Sequence, residues 1–232
     1  KQLLYASENS SVKKFLFVSS IAVLDGFNEN GELDESSDFN PKVDHSSYAI
    51  SKHFSEMEVW RASAEGLNVA IVNPGLIIGS GNWNESSGTL FKELGENAYT
   101  FSGGTSYVDV RDVAKISVEL MENNIFGERF ILISENKKYE EIANFTKQKL
   151  GKPATKIIPN SLLKVGVFLN TILGWLISPL KMANKVNVQS VTEFNKISNK
   201  KIKEKLNYQF ITVEESLAFH LENYLKRKEV GS

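Results

Sequence analysis

The chain has 232 residues, 27 basic against 28 acidic side chains for a net charge of −1, and 41% hydrophobic residues. Its charge balance gives no global field for nucleic acid or an acidic surface, and its length suits one large domain or a domain with a small lobe. Cysteine is absent, which excludes disulfides, thiolate metal sites and thiol nucleophiles and fits a reducing cytoplasm.

The opening KQLLYASENSSVKKF reads as part of a helix with Leu3, Leu4 and Tyr5 on its apolar side. It carries no initiator Met and no leader pattern, so the chain is expected to start partway through a longer protein. Phe15-Leu16-Phe17-Val18 suits a short strand buried on both faces. A polar loop follows from Asp25 to about Ser47; its Asp25, Glu29, Glu32, Asp34, Glu35, Asp38 and Asp44 read as solvating charge. A helix is predicted from about Ser47 to Glu65, with Phe54, Met57, Trp60 and Ala64 at helical spacing and Gly66 as its stop. Asn68 to Val72 reads as the next strand and ends at Pro74-Gly75. Leu76-Ile77-Ile78 then leads into a Gly/Asn/Ser-rich stretch over 79–88.

Tyr107 to Asn123 reads as a strand end feeding a helix, with Val110, Val113, Ala114, Ser117 and Met121 on one face. Asp109 and Asp112 suit the positive end of that helix. Phe130 to Ile133 is a further strand, and a helix over about 139–150 is stopped by Gly151. The last helix opens with Thr212 and Glu215 in capping-box spacing and is expected to bury Val213, Leu217, Leu221 and Tyr224. This alternation predicts an α/β fold with a largely parallel sheet.

Three local features carry chemistry. Tyr48 and Lys52 stand four apart in a predicted helix and so share a face. A phenol ordinarily titrates near ~10, and an ammonium close by favours the phenolate, which suits proton exchange with a hydroxyl or carbonyl. Ser19-Ser20 closes the first strand, and catalytic groups of open α/β sheets collect at the carboxyl ends of strands. Val72-Asn73-Pro74-Gly75 closes the second, where Pro and Gly allow a flat ring to lie against the main chain. Singly, each has a bland reading: a surface helix, a hydroxyl capping a turn, a turn signal.

In this order, FLFVSSIAVLDG, YAISKHFSE, VNPGLIIGSG, YVDVRDVA and ISNKKIKEKLNYQFITVEESL resemble successive segments of the extended short-chain dehydrogenase/reductases. The likeness spans nearly the whole chain and points to the epimerase/dehydratase, dihydroflavonol-reductase and 3β-hydroxysteroid-dehydrogenase-like group. It implies a Rossmann-like parallel sheet with NAD or NADP as cofactor. Residues 1–150 would form the C-terminal part of the nucleotide-binding domain, and residues 151–232 mainly a substrate-binding lobe. Ser20 would be the catalytic hydroxyl and Tyr48 the general acid/base. Lys52 would lower the Tyr pKa and hold the nicotinamide ribose. Val18, Ser19, Tyr48, Lys52 and the backbone of Pro74, Gly75, Leu76 and Ile77 would line the cofactor site. The reaction implied is hydride transfer between nicotinamide and a hydroxyl or carbonyl carbon of a small-molecule substrate. The alternatives are epimerisation or dehydration through transient oxidation, or a non-catalytic nucleotide-sensing or scaffold protein on the same fold. The family's Gly-rich phosphate loop has no counterpart in this sequence, so the sheet is expected to lack the N-terminal strands of a typical member. Relatives commonly dimerise through the active-site helix, which implies a homodimer for the full-length protein.

Leu162 to Leu180 is the most apolar stretch, but Lys164, Asn170, two glycines, Ser178 and Pro179 interrupt it. It reads as a buried or pocket-lining helix suited to a hydrophobic substrate; membrane contact is less favoured. The basic run Lys196 to Lys205 reads as a solvated helix face rather than a nucleic-acid patch. His45, His53 and His220 show no ligand spacing, so no metal site is expected.

Overall fold

The computed structural model describes residues 1–81, 89–173 and 184–230, so parts of the stretches 79–88 and 162–180 lie outside the described residues. The elements run α1 (Gln2–Glu8), β1 (Lys14–Val18), a 3₁₀ turn (Ile21–Val23), α2 (Ser47–Ala64), β2 (Asn68–Pro74) and β3 (Leu76–Ile78). Then come α3 (Leu90–Glu96), β4 (Tyr99–Thr100), β5 (Gly104–Asp109), α4 (Val110–Glu122), β6 (Glu128–Leu132), β7 (Glu135–Lys138) and α5 (Tyr139–Lys149). The chain closes with β8 (Lys156–Ile157), α6 (Asn160–Leu173), α7 (Lys185–Thr192), α8 (Lys200–Leu206) and α9 (Val213–Val230).

Two compact units share the chain. The first takes Lys1–Ile77, Tyr107–Ser134 and Lys196–Ile211; the second takes Ile78–Ser106, Glu135–Asn195 and Thr212–Ser232. In the first unit, β2 lies between β1 and β6, parallel to both. This is the α/β, Rossmann-like parallel sheet expected from the sequence. Val69, Ala70, Ile71 and Val72 are wholly buried, as a strand covered on both faces requires. Val72, Val108, Val113, Ile116, Leu120, Phe130, Leu132, Ile202 and Phe210 form the core on one side of it. Leu4, Val59, Ala62, Val69 and Ile71 form another cluster, which receives α1 and α2. Each apolar side chain fully buried in this way contributes about 1.5–3 kcal/mol.

The helices begin and end where the sequence indicates, but they present other faces. On α2, Ser46 caps the N-terminus by accepting from the Ala49 N–H, and Gly66 follows with φ +104°. Its buried residues are Ala49, Glu56, Val59 and Ala62, whereas the expected core residues Phe54 and Met57 are exposed. On α4 the buried set is Asp112, Val113, Ile116 and Leu120; Val110 and Ala114 face water. On α1 only Leu4 is buried, while Leu3 and Tyr5 are exposed. On α2 and α4 the buried stripe takes in a carboxylate, Glu56 and Asp112, and is rotated accordingly.

Nor is the 25–46 loop simply a solvated acidic loop. Leu33 bridges Ile197 in parallel register, exchanging Leu33 N–H to Lys196 O and Ser198 N–H to Leu33 O. Glu35 accepts from the Ile131 N–H of β6 at 2.9 Å, and burial pushes its carboxyl above the ordinary 4.5. Asp25 accepts from the Asn40 N–H, and Asp34 accepts from Ser36 and Asn28. The basic run is similarly tied down: Lys201 and Lys205 pair with Glu128, and the Lys201 ammonium sits 4.6 Å from the Phe130 ring centroid.

In the second unit β4 pairs with β8 in parallel and the start of β5 lies beside β7. Thr212 and Glu215 form the expected capping box, and α9 buries Val213, Leu217, Leu221 and Tyr224. Helix α6, by contrast, is not a buried helix over its described side chains: Leu162, Val165 and Phe168 are more than half exposed.

Candidate active site

Ser20, Tyr48 and Lys52 all belong to the first unit, and β1 and α2 bring them to one end of its sheet. Ser20 has extended backbone (φ −162°, ψ 153°) and caps the 3₁₀ turn, its Oγ accepting from the Ala22 N–H at 3.2 Å. Ser19, one residue earlier, turns its hydroxyl the other way and donates to Glu56 Oε2 at 2.7 Å. Strand alternation thus separates the two serines: one hydroxyl enters a buried network and the other remains at the turn.

Tyr48 and Lys52 occupy successive turns of α2. The Lys52 Nζ donates to the Val18 carbonyl at 2.9 Å and lies 5.9 Å from the Tyr48 ring centroid and 5.4 Å from that of Phe17. The ammonium therefore sits at the carboxyl end of β1, with one donor used there. Tyr48 is 55% exposed, open to a molecule lying across the strand ends. At the end of β2, Ser19 N–H donates to Val72 O at 2.7 Å and Gly75 N–H to Leu132 O at 3.1 Å, fixing the Pro74-Gly75 turn between β1 and β6. Val18 is partly exposed, and Gly75, Leu76 and Ile77 are half-buried.

Behind these groups stands a buried polar network that the sequence reading missed. Asn73, wholly buried, donates from Nδ2 to the Ser20 carbonyl at 3.1 Å and to Glu56 Oε2 at 3.2 Å. Arg129 of β6 meets Glu56 Oε1 at 3.4 Å and also donates to the carbonyls of Glu35 and Ser37. Asn73 Oδ1 is buried with no hydrogen-bond partner. Glu56 follows Lys52 by four residues, and a carboxylate on the buried stripe of a helix was the available signal. Asn73, polar within VAIVNP, was another.

Elsewhere in this unit, Asp109 caps α4 and holds Arg111 through both carboxylate oxygens at 2.9 and 2.7 Å. Asp112 accepts from the Tyr208 hydroxyl at 2.9 Å and the Ile211 N–H at 3.0 Å; burial pushes its carboxyl up. Among the described residues, no cluster of three or more His, Cys, Asp or Glu side chains could hold a metal ion.

The chain is 26% identical over 168 residues to sterol demethylase protein B of Methylococcus capsulatus, covering 71% of this chain. It spans about half the length of that curated relative, 51%. Among solved structures, a nucleoside-diphosphate-sugar epimerase from Pseudomonas aeruginosa superposes with TM-score 0.77 at 18% identity, over 97% of this chain and 70% of that one. A dTDP-glucose 4,6-dehydratase from Bacillus anthracis, solved in complex with NAD, gives TM-score 0.70 at 15% identity, over 98% and 66% of the two chains. At these identities the structural matches establish the fold. The family model covers residues 1–132, which takes in β1, α2, β2 and α4 together with Ser20, Tyr48 and Lys52, and so the chain belongs to the NAD dependent epimerase/dehydratase family.

Proposed function

We propose that this chain supplies the catalytic half of an NAD(P)-dependent oxidoreductase in which Tyr48 is the general acid/base. The observation that carries the reading is the Lys52 ammonium, bonded to Val18 O at a strand end and one helical turn from an exposed Tyr48. Ser20 holds the substrate oxygen in line with the Tyr48 hydroxyl. Tyr48 takes the proton from a substrate hydroxyl, or gives one to a carbonyl, and the nearby Lys52 charge stabilises the phenolate in between. Lys52 donates its remaining hydrogens to the ribose hydroxyls, and the backbone of Pro74–Ile77 cradles the carboxamide. The nicotinamide, when bound, supplies or accepts hydride at the substrate carbon.

The residues fit the nicotinamide-ribose end of the cofactor. For the pyrophosphate end the sequence offers no Gly-rich strand-to-helix loop. We also propose that residues 151–232 contribute mainly to substrate binding, and that the protein acts as a homodimer through the exposed apolar side chains of α1 and α2. Reduced nicotinamide mononucleotide, which carries only the fitting half, is the direct probe. Fluorescence titration is expected to show saturable binding in the millimolar range, about −4 kcal/mol. Lys52→Met should weaken it by about tenfold or more, the worth of a charge-assisted hydrogen bond. A folded chain that binds no mononucleotide, or binds it equally well without Lys52, overturns the assignment.

A further inference from the structure

Helix α6 of the second unit presents an exposed apolar face. Leu162, Val165, Phe168 and Leu169 are 61%, 52%, 64% and 39% exposed, and their spacing sets them along one side of the helix. Helix α7 packs against α6. The N-terminal end is held in place by Ser102 Oγ, which donates to Asn160 Oδ1 at 2.8 Å. Just before it, β8 exposes Lys156 and Ile157, and β4 sets an exposed Tyr99 opposite Lys156. Lys164 stands one turn before Phe168 and flanks the apolar side.

Charge identifies what such a face meets. From Ile142 through Thr192 the sequence has seven lysines and no aspartate or glutamate, although acids number 28 in the whole chain. A helix facing only water ordinarily alternates charge signs. Apolar side chains beside Tyr and Lys, without acids, have the composition of a helix lying in the headgroup region of a bilayer. No described helix is long and apolar enough to cross a membrane. We infer that the Leu162–Leu169 face of α6, with Tyr99, Lys156 and Lys164 at its border, docks onto an anionic lipid surface.

Vesicle co-sedimentation of the chain tests this inference. Phosphatidylcholine vesicles containing phosphatidylserine should bind it, and pure phosphatidylcholine vesicles should bind it far less. Phe168→Asp, at an exposed position that does not support the fold, should cut partitioning by about tenfold or more, the transfer value of one aromatic side chain. Lys156→Gln and Lys164→Gln should each cost about fivefold, the contribution of one basic residue near such a surface. Circular dichroism of each variant should match the parent. The inference is overturned by absence of binding, by equal binding to both vesicle types, or by binding that Phe168→Asp leaves unchanged. It is equally overturned if sedimentation velocity shows self-association through this face, abolished by Phe168→Asp, in a chain that ignores vesicles.

Discussion

Replacing Glu56 with Ala should be among the most damaging single changes in the first unit. Its carboxylate, 5% exposed, accepts from Ser19 Oγ and Asn73 Nδ2 on one oxygen and meets Arg129 on the other. Truncation deletes these contacts and leaves the Arg129 guanidinium, itself only 14% exposed, without its buried counter-charge. Breaking a buried pair from one side costs about 3–5 kcal/mol. Glu56→Gln keeps the shape and one acceptor oxygen but turns a donor toward existing donors, for a cost of about 1–3 kcal/mol. Urea unfolding followed by tryptophan fluorescence should show midpoints in the order wild type, Gln, Ala at unchanged slope. If Glu56→Ala unfolds within about 0.5 kcal/mol of wild type, the network is not a stabilising element and the argument fails.

Glu35 makes a pH prediction. Its carboxyl is raised above 4.5 by burial, so the folded state binds the proton more tightly than the unfolded state, and stability from this site is fully present below the unfolded pKa and lost as pH rises through the folded one. Glu35→Gln keeps an acceptor for Ile131 N–H without the charge, so its stability relative to wild type should improve from acid to neutral pH in urea midpoints. A constant or opposite difference contradicts the assignment. In a form of the protein that turns over a carbonyl substrate, Tyr48→Phe should abolish turnover while cofactor binding persists; retained turnover would exclude Tyr48 as the acid/base. Gly104→Ala should destabilise by about 1–3 kcal/mol or more, because its Cβ would stand 2.6 Å from Lys137 O and 2.7 Å from Phe194 Cδ2. A thermal melt unchanged from wild type would refute that packing.

The parts of the fold legible in the sequence were those with local causes. The continuous apolar run of β2, the Ser46 and Thr212 caps and the glycine at 66 fix element positions from neighbouring residues alone. Tyr48 and Lys52 were legible for the same reason, since four residues in a helix set their relation. What escaped depends on partners far along the chain. Glu56 takes its partners Ser19, Asn73 and Arg129 from three other parts of the chain, and burying it turns Phe54 and Met57 outward. The acids at 25 and 35 read as solvation because Asn40 and Ile131, which bond them, give no local sign. The apolar 162–180 stretch reads as buried or pocket-lining, and hydrophobicity does not say whether anything in the chain covers its described part.

The first unit is assembled from three separated stretches, and its core includes Ile202 and Phe210 beside Val72 and Phe130. During synthesis the Ser20–Tyr48–Lys52 end of the sheet therefore leaves the ribosome long before the residues that complete the core beneath it. Contacts of such sequence separation carry a large loop-closure cost and form late. The order of emergence leaves β2 and β6 temporarily short of cover, and folding intermediates with exposed strands are prone to association. Loss of Lys196–Ile211 would freeze the first unit at that stage, which makes this stretch a requirement for escaping aggregation as much as for final stability.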